Sequence, residues 1–137
     1  GWQVGVGIVQ LRKLQEMNSL RKKIARELSD GLQGLQHIRH YRSGDDECPS
    51  HFILMCEQRD LLVQKAQKRG VDLGIHFDYV IPDLPAYRTL SGDGFFPHAR
   101  TLARTVCNVP LYPGLTESRK DYIIQVLKDI DKELYSI

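Results

Sequence analysis

At 137 residues, and with domains of roughly 100–200 residues each, the chain has room for one core and none for a two-domain enzyme. Apolar residues make up 42% and charged residues 26%, the composition of an ordinary globular domain rather than a disordered or fibrous one. The 19 Lys and Arg against 17 Asp and Glu leave a net charge of +2, too small a surplus for an obligate nucleic-acid binder, and no nucleic-acid partner is expected.

From Leu11 the apolar residues fall at Leu14, Met17, Leu20, Ile24, Leu28, Leu32 and Leu35, with Arg12, Lys13, Arg21, Lys22, Lys23 and Arg26 between them. Steps of three and four place that stripe on one face of an amphipathic helix. Residues 1–10 are ambiguous: Trp2, Val4, Val6 and Ile8 alternate as in a strand, yet no breaker separates them from the helix. Gly5 and Gly7 would each cost about 1 kcal/mol inside a helix, and suit a place where another backbone packs closely. Residues 39–51 are polar, carry Gly44 and Pro49, and read as a loop. His51 to Cys56 is a short continuous apolar run, suited to a buried strand. Asp60 is placed to cap a helix carrying Leu61, Leu62, Val63 and Ala66, and Gly70 to end it.

Val71 to Phe77 reads as a second strand. Pro82 and Pro85 mark an irregular crossing, Ser91 to Gly94 a turn, and Pro97 the first turn of a helix to about Cys107. Asn108 to Leu111 is long enough only for an edge strand. Thr116 caps a last helix whose Tyr122, Ile123, Val126, Leu127, Ile130 and Leu134 keep helical spacing. The order of elements suggests helices over a small sheet.

The longest mostly apolar stretch, Val4 to Leu11, is far short of the ~20 residues needed to span a bilayer, and no charged segment precedes it as in a signal peptide. No membrane partner is expected. Cys48, Cys56 and Cys107 form an odd set without CxxC spacing, which suits free thiols in the reducing cytoplasm. His37, His40, Cys48 and His51 form H-x2-H-x7-C-x2-H, which matches no standard zinc pattern; they read as solvated loop residues, and no metal site is expected. Gly5-x-Gly7 lacks the rest of a dinucleotide fingerprint, and no nucleophile elbow is present.

Three stretches together resemble one family. Gly1-Trp-Gln-Val-Gly-Val-Gly-Ile-Val-Gln-Leu-Arg-Lys-Leu14 is similar to a helix written E-L-Q-A-A-I-G-L-x-Q-L-x-K-L in the DegT family of PLP-dependent sugar aminotransferases. Gly70 to Phe77, followed by Pro85-Ala-Tyr87, resembles its G-I-x-x-x-x-H-Y and P-A-Y. Phe96-Pro-His-Ala99, Asn108-Val-Pro-Leu-Tyr-Pro-Gly-Leu-Thr116 and Asp121-Tyr-Ile-Ile124 resemble f-P-x-A, s-L-P-L-Y-P-x-L-T and d-y-V-I. The pattern departs at Gly1, where the family has an acidic residue, and near Ile81, where it has a second His.

The resemblance implies the C-terminal portion of such an enzyme. The expected fold is an α/β (α+β) small domain with a long N-terminal helix and a small, mostly antiparallel sheet of about three strands covered by helices. Residues 1–35 form the linking and interface helix, and 36–137 the domain. The Schiff-base lysine, the aspartate facing the pyridine nitrogen and the phosphate-binding turn belong to a missing N-terminal large domain. None of the eight lysines sits in that lysine's context, so no catalytic residue and no PLP bound to this chain are expected; PLP belongs to the full-length protein. Expected partners there are a second copy as a homodimer, a nucleotide sugar and an amino donor. Relatives with His for the lysine act as dehydratases, so amination and dehydration both stay open. The substrate-side candidates are His51, His76 and Phe77, and the interface residues are Trp2, Val4, Val6, Ile8 and Val9. The alternative is a stand-alone, non-catalytic interaction module of the same fold, binding a partner through its N-terminal apolar face.

Overall fold

The computed structural model describes residues 1–91 and 96–134; the turn expected at 91–94 falls, beyond Ser91, outside them. Helix α1 runs Trp2–Gly31, about 45 Å at 1.5 Å per residue, and settles residues 2–10 as helix rather than strand. Only its last turns enter the core, through Ile24, Ala25 and Leu28, with Leu32 just beyond its end. The helix stops four residues short of Leu35. Gly31 lies so close to the C-terminal helix that an added Cβ would meet Ile124 Cδ1 at 2.5 Å, and Gly34 takes φ +81°, a turn conformation that glycine adopts without steric cost.

Two corrections concern strands. Arg39–His40, expected in a loop, forms β1 and pairs antiparallel with β2 (Phe52–Met55), Arg39 opposite Met55 and His40 opposite Leu54. A two-residue polar strand carries no hydrophobic period. Val71 to Phe77 is not a strand: Gly74 alone bridges Asn108, through backbone bonds of 2.8 and 2.9 Å. Val71 and Leu73 both enter the core, and their alternation imitates a strand without a ladder.

Helix α2 spans Arg59–Lys68 with Gln58 at its N-cap and Asp60 inside the first turn. Asp60 there pairs with Arg59 Nε at 2.6 Å and is favourably placed toward the helix dipole. Gly70 follows with φ +74°. After a 3-10 turn at Ile81–Asp83 come the short α3 (Arg88–Ser91), α4 (Pro97–Thr105), β3 (Val106–Val109) and α5 (Glu117–Glu133). Helix α4 therefore ends before Cys107, and β3 starts at Val106 instead of Asn108. The Thr116 hydroxyl accepts from the Arg119 N–H at 3.4 Å, capping α5 as expected.

The sheet order is β1-β2-β3, antiparallel throughout, as expected of an α+β small domain. Phe52, Leu54, Cys107 and Val109 turn one face to the core, where α5 packs against both α1 and α2. Fully burying each large apolar side chain contributes about 1.5–3 kcal/mol. Buried Asp131 accepts from the Gln36, His37 and Ile38 N–H groups, each at 2.9 Å. Lys120 on α5 donates to Glu27 on α1 at 2.7 Å and to Glu117. Burial opposes its charge, but these two carboxylates outweigh it and hold the ammonium pKa above its ordinary value.

Cys56 and Cys107 are buried and Cys48 is exposed. Burial, with Cys56 nearby, pushes the Cys107 thiol from 9.0 up to about 12. Its contribution to stability is intact below pH 9.0 and is lost as pH climbs toward about 12, because the unfolded thiol ionises first. A thiol reagent at pH 8 should therefore label Cys48 alone in the folded chain and all three cysteines after unfolding. Rapid labelling of Cys107 in the native state would contradict this.

Candidate functional site

Among the described residues, the other face of the sheet is open, with α4 along one side of it. Ile53 and Met55 of β2 and Val106 and Asn108 of β3 alternate with the core residues and floor a groove of about 730 Å³. Its walls are Phe77, Tyr79 and Ile81 from the irregular crossing, and Ala99 and Leu102 from α4, with Tyr41 at the end of β1. The crossing is held by a forked ion pair: Arg100 Nε donates to Asp83 Oδ2 at 2.9 Å and its terminal nitrogen to Oδ1 at 2.6 Å. That hydrogen-bonded guanidinium keeps the Asp83 carboxyl below its ordinary pKa. Buried Arg59 donates to the Ala103 and Val106 carbonyls at 3.0 and 3.2 Å, anchoring the corner where α4 turns into β3.

His51, His76 and Phe77, named separately from the sequence, all line this groove. The His51 and His76 ring centres are 4.4 Å apart with planes at 74°, and Phe77 stands edge-on to His76 at 5.7 Å. Both histidines are exposed, so neither is a core residue. Ser50 Oγ lies 2.9 Å from His51 Nδ1, and Asn108 Nδ2 lies 3.3 Å from His76 Nδ1. Asn108 and Tyr41 are lining residues that sequence reading missed, although Asn108 is a lone polar position between apolar neighbours in a strand. The Tyr41 hydroxyl donates to Glu47, and this hydrogen bond raises its pKa.

The H-x2-H-x7-C-x2-H set is not gathered in space, and no group of three or more potential metal ligands occurs among the described residues. His40 instead bonds Ser29 Oγ at 2.8 Å and stacks on Phe52; burial, then Arg42, lowers its pKa. Among the described residues, the groove lining also contains no lysine and no carboxylate. It can offer imidazole, amide and phenol contacts over an apolar floor, but neither a covalent anchor for an aldehyde cofactor nor an anion to face a pyridinium. These residues alone do not fit PLP.

Trp2, Val4, Val6, Ile8 and Val9 are all exposed, Trp2 by 78%. At helical spacing Val4, Ile8 and Leu11 share one side of α1, and Trp2, Val6 and Val9 the opposite side. No helix among the described residues is long and apolar enough to cross a membrane.

Similarity to known proteins agrees with the motif resemblance. The chain is 32% identical over 129 residues to the erythromycin biosynthesis sensory transduction protein EryC1 of Saccharopolyspora erythraea, covering 92% of this chain and 35% of that protein. It is 28% identical over 130 residues to the dTDP-3-amino-3,4,6-trideoxy-alpha-D-glucose transaminase of Streptomyces venezuelae, covering 93% and 34%. The crystal structure of S. venezuelae DesV in complex with a ketimine intermediate superimposes with a TM-score of 0.86 at 28% identity, over 93% of this chain and 35% of that one. The chain thus spans about a third of the length of these relatives. A family model of the DegT/DnrJ/EryC1/StrS aminotransferases matches residues 2–128, and the chain belongs to that family.

Proposed function

We propose that this chain is the C-terminal small domain of a PLP-dependent nucleotide-sugar aminotransferase-like protein, with residues 1–35 as linking helix and 36–137 as the domain, and that it is not catalytic alone. The observation that carries this reading is the one-sided cover of the sheet. Helices close one face, and the other is left as a groove that gathers His51, His76 and Phe77. In the whole protein this groove is one wall of the substrate cleft: the imidazoles meet hydroxyls or phosphate, and Phe77 meets the apolar side of the sugar.

PLP supplies the electron sink for transamination, and the attaching lysine and the ring-facing anion come from an N-terminal large domain. In the groove this chain supplies shape and polar contacts only. The protein is a cytoplasmic homodimer in this reading, acting on a nucleotide sugar and an amino donor. The coding sequence upstream of Gly1 tests it: an in-frame large domain with a lysine in the family context supports it, and a start codon directly before Gly1 overturns it. The isolated chain, incubated with PLP, reduced with borohydride and dialysed, should carry no stoichiometric label on any one lysine. A single lysine labelled in full would place the cofactor on this chain.

The two apolar sides of α1 support a linking role, since a helix that is apolar all round is a buried helix. Without its cover, that end should drive self-association. Sedimentation should show oligomers of the isolated chain, and Val4→Lys with Val9→Lys together should yield monomers with an unchanged melting temperature. A strictly monomeric unsubstituted chain at high concentration would sink the interface assignment.

A further inference from the structure

We propose that His51 and His76 form a two-imidazole site for a divalent transition-metal ion, Ni²⁺ or Cu²⁺. This goes beyond the aminotransferase reading and does not rest on it. Imidazole suits Zn, Cu and Ni alike, and square or octahedral coordination completed by water is the habit of Cu²⁺ and Ni²⁺. With metal–nitrogen bonds of about 2.0–2.1 Å and a ring centre about 1.1 Å behind each nitrogen, imidazoles on adjacent corners of a square or octahedron have centres about 4.5 Å apart, and on tetrahedral corners about 5.2 Å. The observed spacing is 4.4 Å, with the ring planes 74° apart. Rings this close can share one ion once both Nε2 atoms turn toward it.

Two features prepare the ligands. Each Nδ1 has a hydrogen-bond neighbour, Ser50 Oγ for His51 and the Asn108 amide for His76. That is the outer-shell contact that orients a metal-binding histidine and fixes its tautomer. For ligation through Nε2 the Nδ1–H groups donate, to Ser50 Oγ and to Asn108 Oδ1 once that amide is turned; nitrogen and oxygen of an amide are interchangeable in placement. Neither Nε2 makes a hydrogen bond among the described residues. The paired backbone bonds between Gly74 and Asn108 fix the segment that carries His76 against β3. No third His, Cys, Asp or Glu joins the pair among the described residues, so water fills the remaining positions and the ion exchanges readily.

The test is titration of the chain with NiCl₂, ZnCl₂ and substoichiometric CuCl₂, followed by calorimetry and by broadening of assigned NMR signals. Ni²⁺ should bind one per chain and more tightly than Zn²⁺. Broadening by Cu²⁺ should centre on His51, His76 and Asn108. His51→Gln and His76→Gln should each weaken Ni²⁺ binding roughly a hundredfold, the scale of a lost second attachment. Both positions are exposed, and unchanged melting temperatures would show the variants folded. Broadening centred on Gly1, His37 or His98, or a His76→Gln chain that binds Ni²⁺ as well as the unsubstituted one, overturns the site. Zn²⁺ binding more tightly than Ni²⁺ overturns the assignment to Ni²⁺.

Discussion

Asp131→Ala should lower the melting temperature by about 10–15 °C, the equivalent of about 3–4 kcal/mol for a domain of this size. The Asp131 carboxylate is 5% exposed and is the shared acceptor for three consecutive backbone N–H groups, those of Gln36, His37 and Ile38. Bonds to a charged acceptor each contribute about 1.5–3 kcal/mol, and a buried donor left unmade costs its own desolvation. Alanine removes the acceptor and leaves the Ile38 N–H buried among apolar groups. The loss reaches the sheet, because this corner delivers the chain from α1 into β1. Asp131→Asn keeps one oxygen and should recover roughly half of the loss. Thermal unfolding followed by circular dichroism measures both. A drop of only a degree or two for the alanine variant would mean that the three N–H groups find other partners.

Leu54→Ala should cost about 3–4 kcal/mol, while Ile53→Ala, one residue away, should cost about 1 kcal/mol. Leu54 is fully buried at the centre of the middle strand, facing the helical layer. Truncating it loses transfer free energy and leaves a cavity that a close-packed core refills only in part. Ile53 lies on the groove side and is half-buried. The same strand therefore separates stability from recognition: Leu54→Ala shifts the urea midpoint, and Ile53→Ala reshapes the groove while the fold persists. Equal losses at the two positions would mean that the groove face is packed like a core.

Sequence alone determined α2, α4, α5 and the part of α1 from Leu11 onward, but neither the first turns of α1 nor the short α3. The signals of the former are local: the three-and-four stripe of α1, the Thr116 cap before α5, Pro97 opening α4 and Gly70 closing α2 each act within a few residues of the backbone they govern. It also determined the family, through strings such as Pro110-Leu-Tyr-Pro-Gly-Leu-Thr116 that no generic structural need produces. Strand pairing was not legible in the same way, since a ladder is closed by a partner far along the chain. Arg39–His40 became a strand because Leu54 and Met55 lie beside it, and Val71 to Phe77 failed to become one because only Gly74 meets β3. The candidate site divides similarly. His51, His76 and Phe77 could be named singly from their positions at element ends and from the family motifs, but their convergence, with Asn108 and Tyr41 beside them, exists only once β2 and β3 align and the Arg100–Asp83 pair fixes the crossing over them. Periodicity encodes which face of a residue's own element is apolar. Which distant residue meets that face is set by tertiary packing, because the contact energy belongs to the pair and neither local sequence carries it.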